Sequence, residues 1–70
     1  MMERRWFKYT APNGEAFYAL GIAAEAERYD HWLKARGMTF TYAPLGADEL
    51  VGGPSLHLDV ALAKIDALDA

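Results

Sequence analysis

Cysteine is absent from this 70-residue chain. That excludes disulfide staples, thiolate nucleophiles and thiolate metal ligands, and it fits a reducing, cytoplasmic setting. Histidine occurs only at His31 and His57. Two imidazoles do not close a zinc site without carboxylates, and neither stands in a recognised ligand spacing. His31 lies four residues from Glu27, where a surface hydrogen bond is the ordinary expectation. Serine occurs once, at Ser55. A His57 and Asp59 pair written as base and orienter therefore has no convincing nucleophile, and Ser55 suits a helix cap or a turn. No apolar run approaches the ~20 residues that a membrane span needs, and the start MMERR leads into a strand pattern, not the apolar core of a signal peptide. Gly46, Gly52 and Gly53 lack the spacing and following lysine of a phosphate-binding loop. Acid–base work by carboxylates needs a pocket that shifts their pKa values, and so small a domain has little volume for one. The expectation is a non-enzymatic protein of the cytoplasm with no metal, no cofactor and no membrane partner.

What is present is apolar and aromatic. Hydrophobic residues make up 53% and aromatics 13% of the chain, enough for a core and too much for a disordered tail. A domain of this length buries only about 60% of the surface that its unfolded chain exposes. Oligomerisation is then one of the usual sources of further stability.

The organising stretch is Arg5 to Ile22, RWFKYTAPNGEAFYALGI, two aromatic strands turned at Pro12-Asn13-Gly14. Pro12 presets φ for the second position of a turn, Asn13 tolerates the third, and Gly14 supplies positive φ. This favours a three-residue loop with a glycine bulge, setting Tyr9 opposite Phe17, Phe7 opposite Ala19 and Trp6 opposite Leu20. A two-residue Asn-Gly loop competes and would set Tyr9 against Tyr18 and Phe7 against Leu20. In either register both faces carry large apolar groups, with Phe7 and Tyr9 on one side of the first strand and Trp6 on the other. A half-solvated sheet shows one apolar and one polar face, so the second face calls for a cover, which a partner or a second copy would supply.

Ile22, Ala26, Tyr29 and Leu33 recur at helical spacing, with Trp32 and Ala35 widening the stripe. Gly21 is a permissible cap, acids cluster near the N-terminal end, Lys34 and Arg36 near the C-terminal end, and Gly37 stops the helix. MTFTYA, residues 38–43, alternates as a strand whose Met38, Phe40 and Tyr42 side faces the helix. Residues 44–54 form a connector, with a helical turn at Asp48 to Leu50 or a short edge strand at Glu49 to Val51. Leu56, Leu58 and Val60 alternate like a strand, yet Leu58, Ala61, Leu62, Ile65 and Leu68 repeat like a helix. Length and alanine content favour a helix over about 56–69, starting between Ser55 and Asp59. The fold class expected is α+β in one domain: a small antiparallel sheet, ββαβ, followed by a C-terminal helix.

Net charge is −3, distributed unevenly. Residues 1–36 hold six basic and five acidic groups, whereas residues 37–70 hold Lys64 against Asp48, Glu49, Asp59, Asp66 and Asp69. Such asymmetry bears on partners and steering. The five acids make one candidate surface, the negative rim of an interface with an apolar centre, suited to a protein partner with a basic groove. Trp6 and Tyr18 make a second, the aromatic sheet face, for a partner or a dimer. The third candidate is ERRWFKY, where Arg4, Arg5 and Lys8 alternate with Trp6, Phe7 and Tyr9 as in strands that stack nucleobases and hold phosphate. The acidic whole opposes that alternative.

In its size, lack of cysteine, acidic balance and compact α+β pattern, the chain resembles small phage-encoded inhibitors of bacterial defence, above all anti-CRISPR proteins. The resemblance lies in the whole chain's character. It implies stoichiometric binding to an effector complex, often over a basic nucleic-acid site, and assigns no individual residue.

Overall fold

The turn at residues 12–14 sets the register of the sheet. In the computed structural model, which describes residues 3–46 and 52–69, strand β1 (Arg5–Thr10) runs antiparallel to β2 (Ala16–Gly21). Tyr9 faces Phe17, Phe7 faces Ala19 and Trp6 faces Leu20, the register of the three-residue loop. The Gly14 N–H donates to the Ala11 carbonyl at 2.9 Å, and the Ala11 N–H to the Glu15 carbonyl at 2.8 Å. Gly14 sits at φ 91°, where a side chain would be strained, and Asn13 Oδ1 accepts from the Glu15 N–H at 3.0 Å.

Helix α1 (Ala23–Ala35) is capped by Ile22 and not by Gly21. The Glu25 carboxylate accepts the Ile22 N–H at 2.9 Å, satisfying one donor at the helix start. Gly21 ends β2 and serves packing: a Cβ there would lie 2.8 Å from Leu58 Cδ1 and 2.9 Å from Leu58 Cβ. At the other end the Gly37 N–H donates to Lys34 and the Met38 N–H to Leu33, at 3.0 and 2.9 Å, with Gly37 at φ 75°. This pair of bonds is a Schellman motif.

That motif explains why β3 (Thr41–Pro44) begins three residues later than the alternation predicts. The Met38 N–H is already spent on the helix end, and Met38 is 47% exposed, not packed on the helix. Phe40 and Tyr42 do pack against the core. Pro44 is tolerated because β3 is an edge strand.

A second departure lies at Ser55–His57, which forms β4 and not the first turn of the helix. It pairs parallel to β2, with Tyr18 opposite Ser55 and Leu20 opposite His57, so the sheet is mixed and not wholly antiparallel. Helix α2 (Leu58–Asp69) follows directly, starting inside the Ser55 to Asp59 window. Among the described residues the sheet has four strands in the order β3-β1-β2-β4. The alternatives at Asp48 to Leu50 and Glu49 to Val51 lie outside the described residues.

Both helices cover the same sheet face. Phe7, Tyr9 and Ala19 from the sheet, Ala26 and Leu33 from α1, and Leu58 from α2 form one buried cluster. The Cα extents of 38 × 35 × 16 Å fit two layers, since each packed layer adds about 10 Å. Tyr9 is fully buried. Its ring is parallel to Phe17 at 5.1 Å and Tyr42 at 5.3 Å, and edge-on to Tyr29 at 5.4 Å. Its hydroxyl donates to the Ala26 carbonyl at 3.2 Å.

Gly21→Ala is expected to lower unfolding stability by ~1–3 kcal/mol through overpacking against Leu58; an unchanged urea midpoint would show that the two elements separate easily. Burial, with smaller contributions from Tyr42, Asp30 and Tyr29, raises the Tyr9 pKa above its ordinary value of 10.0, and burial also raises that of Tyr29. Above pH 10 the unfolded chain releases these phenolic protons while the folded chain keeps them, so stability falls as pH rises further. In urea titrations between pH 9 and pH 11, Tyr9→Phe is expected to flatten that alkaline decline, at a cost near neutrality of about 0.5–1.5 kcal/mol for the lost hydrogen bond.

Candidate functional site

Strand alternation turns the partners of the core residues to the other side of the sheet. There, Trp6 lies opposite Leu20, and Leu20 opposite His57. The Leu45 N–H donates to the Trp6 carbonyl at 2.8 Å, which extends the same row past the end of β3. The adjacent row runs Ala43, Lys8, Tyr18, Ser55. No helix among the described residues packs on this face. Trp6, Tyr18, Leu20 and Leu45 are half-buried and form its apolar centre, while Lys8 and His57 are exposed. Beside Trp6, a groove of about 260 Å³ is lined by Glu3, Arg4, Arg5, Leu20 and Leu45.

The structure therefore brings Trp6, Tyr18 and Lys8 together on one face, as diagonal or direct neighbours on β1 and β2, whereas Arg5 shares the parity of Phe7 and Tyr9 and only borders the groove at the strand end. Leu20 and Leu45 belong to the same surface and were not singled out from the sequence. Leu20 was visible as the cross-strand partner of Trp6. Leu45 was not, because its place depends on a long-range pairing beyond Pro44.

Of the five acids of the expected rim, the described residues place the side chains of two. Asp59 Oδ2 pairs with Arg4 Nη2 at 3.4 Å and Asp66 Oδ1 with Arg28 Nη2 at 2.5 Å, all four side chains about half exposed. Asp48 and Glu49 lie outside the described residues, as does the Asp69 side chain. Exposed pairs contribute at most about 1 kcal/mol each, so they orient more than they stabilise. Their effect on the surface is larger: two of the acids expected to meet a basic partner are already neutralised by this chain's own arginines. Arg5 and Lys8 make no ion pair among the described residues.

The Asp59 carboxylate is also not an orienter for His57, since its Oδ1 accepts the Val60 N–H at 2.9 Å while Oδ2 meets Arg4. His31 stands on α1, on the helix side of the molecule, away from His57 on the open sheet face. Among the described residues no group of three or more His, Asp or Glu is placed to hold a metal ion.

Lys8→Glu is expected to change stability by less than ~0.5 kcal/mol, as an exposed substitution away from the core. Phe7→Ala, on the same strand but facing the helices, is expected to cost ~3–5 kcal/mol. Equal urea midpoints for the two variants would contradict the assignment of faces. Among the described residues no helix is long and apolar enough to cross a membrane. No protein-family model, curated protein or solved structure matches the chain.

Proposed function

We propose that this chain is a non-catalytic interaction module of the cytoplasm that docks a protein partner on the open face of its sheet. The observation that carries the reading is the contiguous row Leu45, Trp6, Leu20, with Tyr18 beside it, on a face that no second layer among the described residues covers. A half-buried aromatic centre ringed by polar groups is the anatomy of an interface, and Trp and Tyr are the residues that most often dominate its energy. Stoichiometric inhibition by covering a partner's working surface, which the resemblance to phage anti-defence proteins implies, is one way such a module acts.

The charges on this face choose the kind of partner. Lys8 stands in the middle, so the complementary surface is apolar with a carboxylate to meet that ammonium, not the basic groove that the acidic half of the sequence suggested. A face-to-face homodimer is disfavoured for the same reason, because the two-fold axis would bring Lys8 toward its own copy. Single-stranded nucleic acid is the second reading. It is favoured by Lys8 lying beside both Trp6 and Tyr18 on one sheet face and opposed by the net charge of −3.

The test compares wild type with a Trp6→Ala/Tyr18→Ala variant, folding checked by circular dichroism, in quantitative affinity capture followed by reconstitution with the purified partner. Loss of the two rings is expected to weaken binding at least ~30-fold, about 2 kcal/mol. Equal affinity would remove this face from the model of function. Salt-sensitive quenching of tryptophan fluorescence by single-stranded oligonucleotides would instead promote the second reading.

A further inference from the structure

On the opposite side of the molecule, Arg28, His31, Trp32, Ala35 and Arg36 follow one another at positions i, i+3, i+4, i+7 and i+8 of α1 and its C-cap, and so share one side of the helix. Helix α2 meets them with Leu62 and Ile65, both buried, and with Asp66. Between the helices lies a cleft of about 350 Å³ lined by these residues. That volume is at the lower end of the range for small-ligand sites, which combine an apolar lining with a few convergent polar groups.

Arg36 is the polar group with unused capacity. Its guanidinium carbon lies 4.6 Å from the centre of the Trp32 ring, and the same indole packs parallel to Tyr29 at 5.9 Å. A guanidinium held over an aromatic ring keeps its N–H donors for other partners, and that planar fork can grip a carboxylate in bidentate fashion. Arg36 makes no ion pair among the described residues. Trp32 adds an independent sign: its indole N–H is buried without an acceptor among the described residues. A buried donor left unpaired is costly, and the indole that carries it lines the cleft beside Arg36.

The other charges limit the ligand. Arg28 is committed to Asp66, so Arg36 is the arginine of the cleft without a carboxylate partner among the described residues. The wall formed by Ala35, Leu62 and Ile65 is apolar. We propose that the cleft between α1 and α2 binds a small monocarboxylate with a short apolar body, its carboxylate on Arg36 and its hydrocarbon against Leu62 and Ile65. This site is separate from the open sheet face and does not depend on the function proposed for it.

Titration with hexanoate, followed through backbone amide resonances, tests the assignment. Saturable shifts confined to residues 28–36 and 61–66 are expected. Arg36→Gln is expected to weaken binding at least tenfold, and Ala35→Glu, which adds a negative charge to the lining, to abolish it. Both positions are exposed, so neither change threatens the core. 1-Hexanol and inorganic phosphate, which each lack one half of the ligand, are expected to bind at least tenfold more weakly than hexanoate. The proposal is overturned if hexanoate gives no saturable shift in the cleft, if Arg36→Gln binds as wild type does, or if either control matches hexanoate.

Discussion

The packing of Tyr9 is the constraint on which the other features depend. A phenol with no exposed surface must bury its ring among apolar partners and still find an acceptor for its hydroxyl. Phe17 and Tyr42 supply the first from the two neighbouring strands, and the Ala26 carbonyl supplies the second from α1. One side chain thus ties β1, β2, β3 and α1 together. Once Tyr9 faces the helices, the strand period of two sends Phe7 inward with it and Trp6 and Lys8 outward. The exposed character of the second face is a consequence of the core, not a separate choice.

The second helix is placed by a complementary device. Gly21 offers no Cβ, and Leu58 occupies that space, so α2 lies against the end of β2 on the side already used by α1. Two helices then cover one face of the sheet. The ion pairs from Arg4 to Asp59 and from Arg28 to Asp66 join residues far apart in sequence, and they draw together the two halves whose charges differ in sign. A charge imbalance along the chain becomes near-neutrality on the folded surface at those positions.

These particulars show what the sequence disclosed and what it did not. Of the two hairpin registers that Pro12, Asn13 and Gly14 left open, the one they favoured is formed, because their conformational preferences are local. The span of α1 and its stop at Gly37 were legible for the same reason. The pairing of Ser55 to His57 with β2 was not, because a parallel partner beyond α1 and β3 leaves no local mark, and three residues are too few for a period to be seen. Of the candidate surfaces, the split of Trp6 from Phe7 and Tyr9 needed only the strand period. The pairing of Asp59 with Arg4 and of Asp66 with Arg28 was not legible, because linear counting of charge says nothing about which cations fold against which acids. The cleft between α1 and α2 is hidden in a similar way: locally Trp32 and Ala35 belong to an apolar stripe and Arg36 to the helix end, and the approach of α2 places them on one wall.

The flat shape has a last consequence for how the two surfaces relate. A chain with Cα extents only 16 Å deep in its thinnest direction puts the open sheet face and the interhelical cleft back to back. The aromatic contacts between them run from Tyr9 to Tyr29 to Trp32, with centroid separations of 5.4 and 5.9 Å, and end at Arg36. Physical contiguity alone does not couple sites; coupling requires an element with two arrangements whose balance both ligands shift. Tyr9 and Tyr29 are held by close ring contacts on several sides, and rotation of either would open a void or expose the Tyr9 hydroxyl to a lost partner. A core fixed in this way transmits strain poorly into alternative states, so occupation of one surface and occupation of the other are expected to add independently, as distant sites in a rigid domain do.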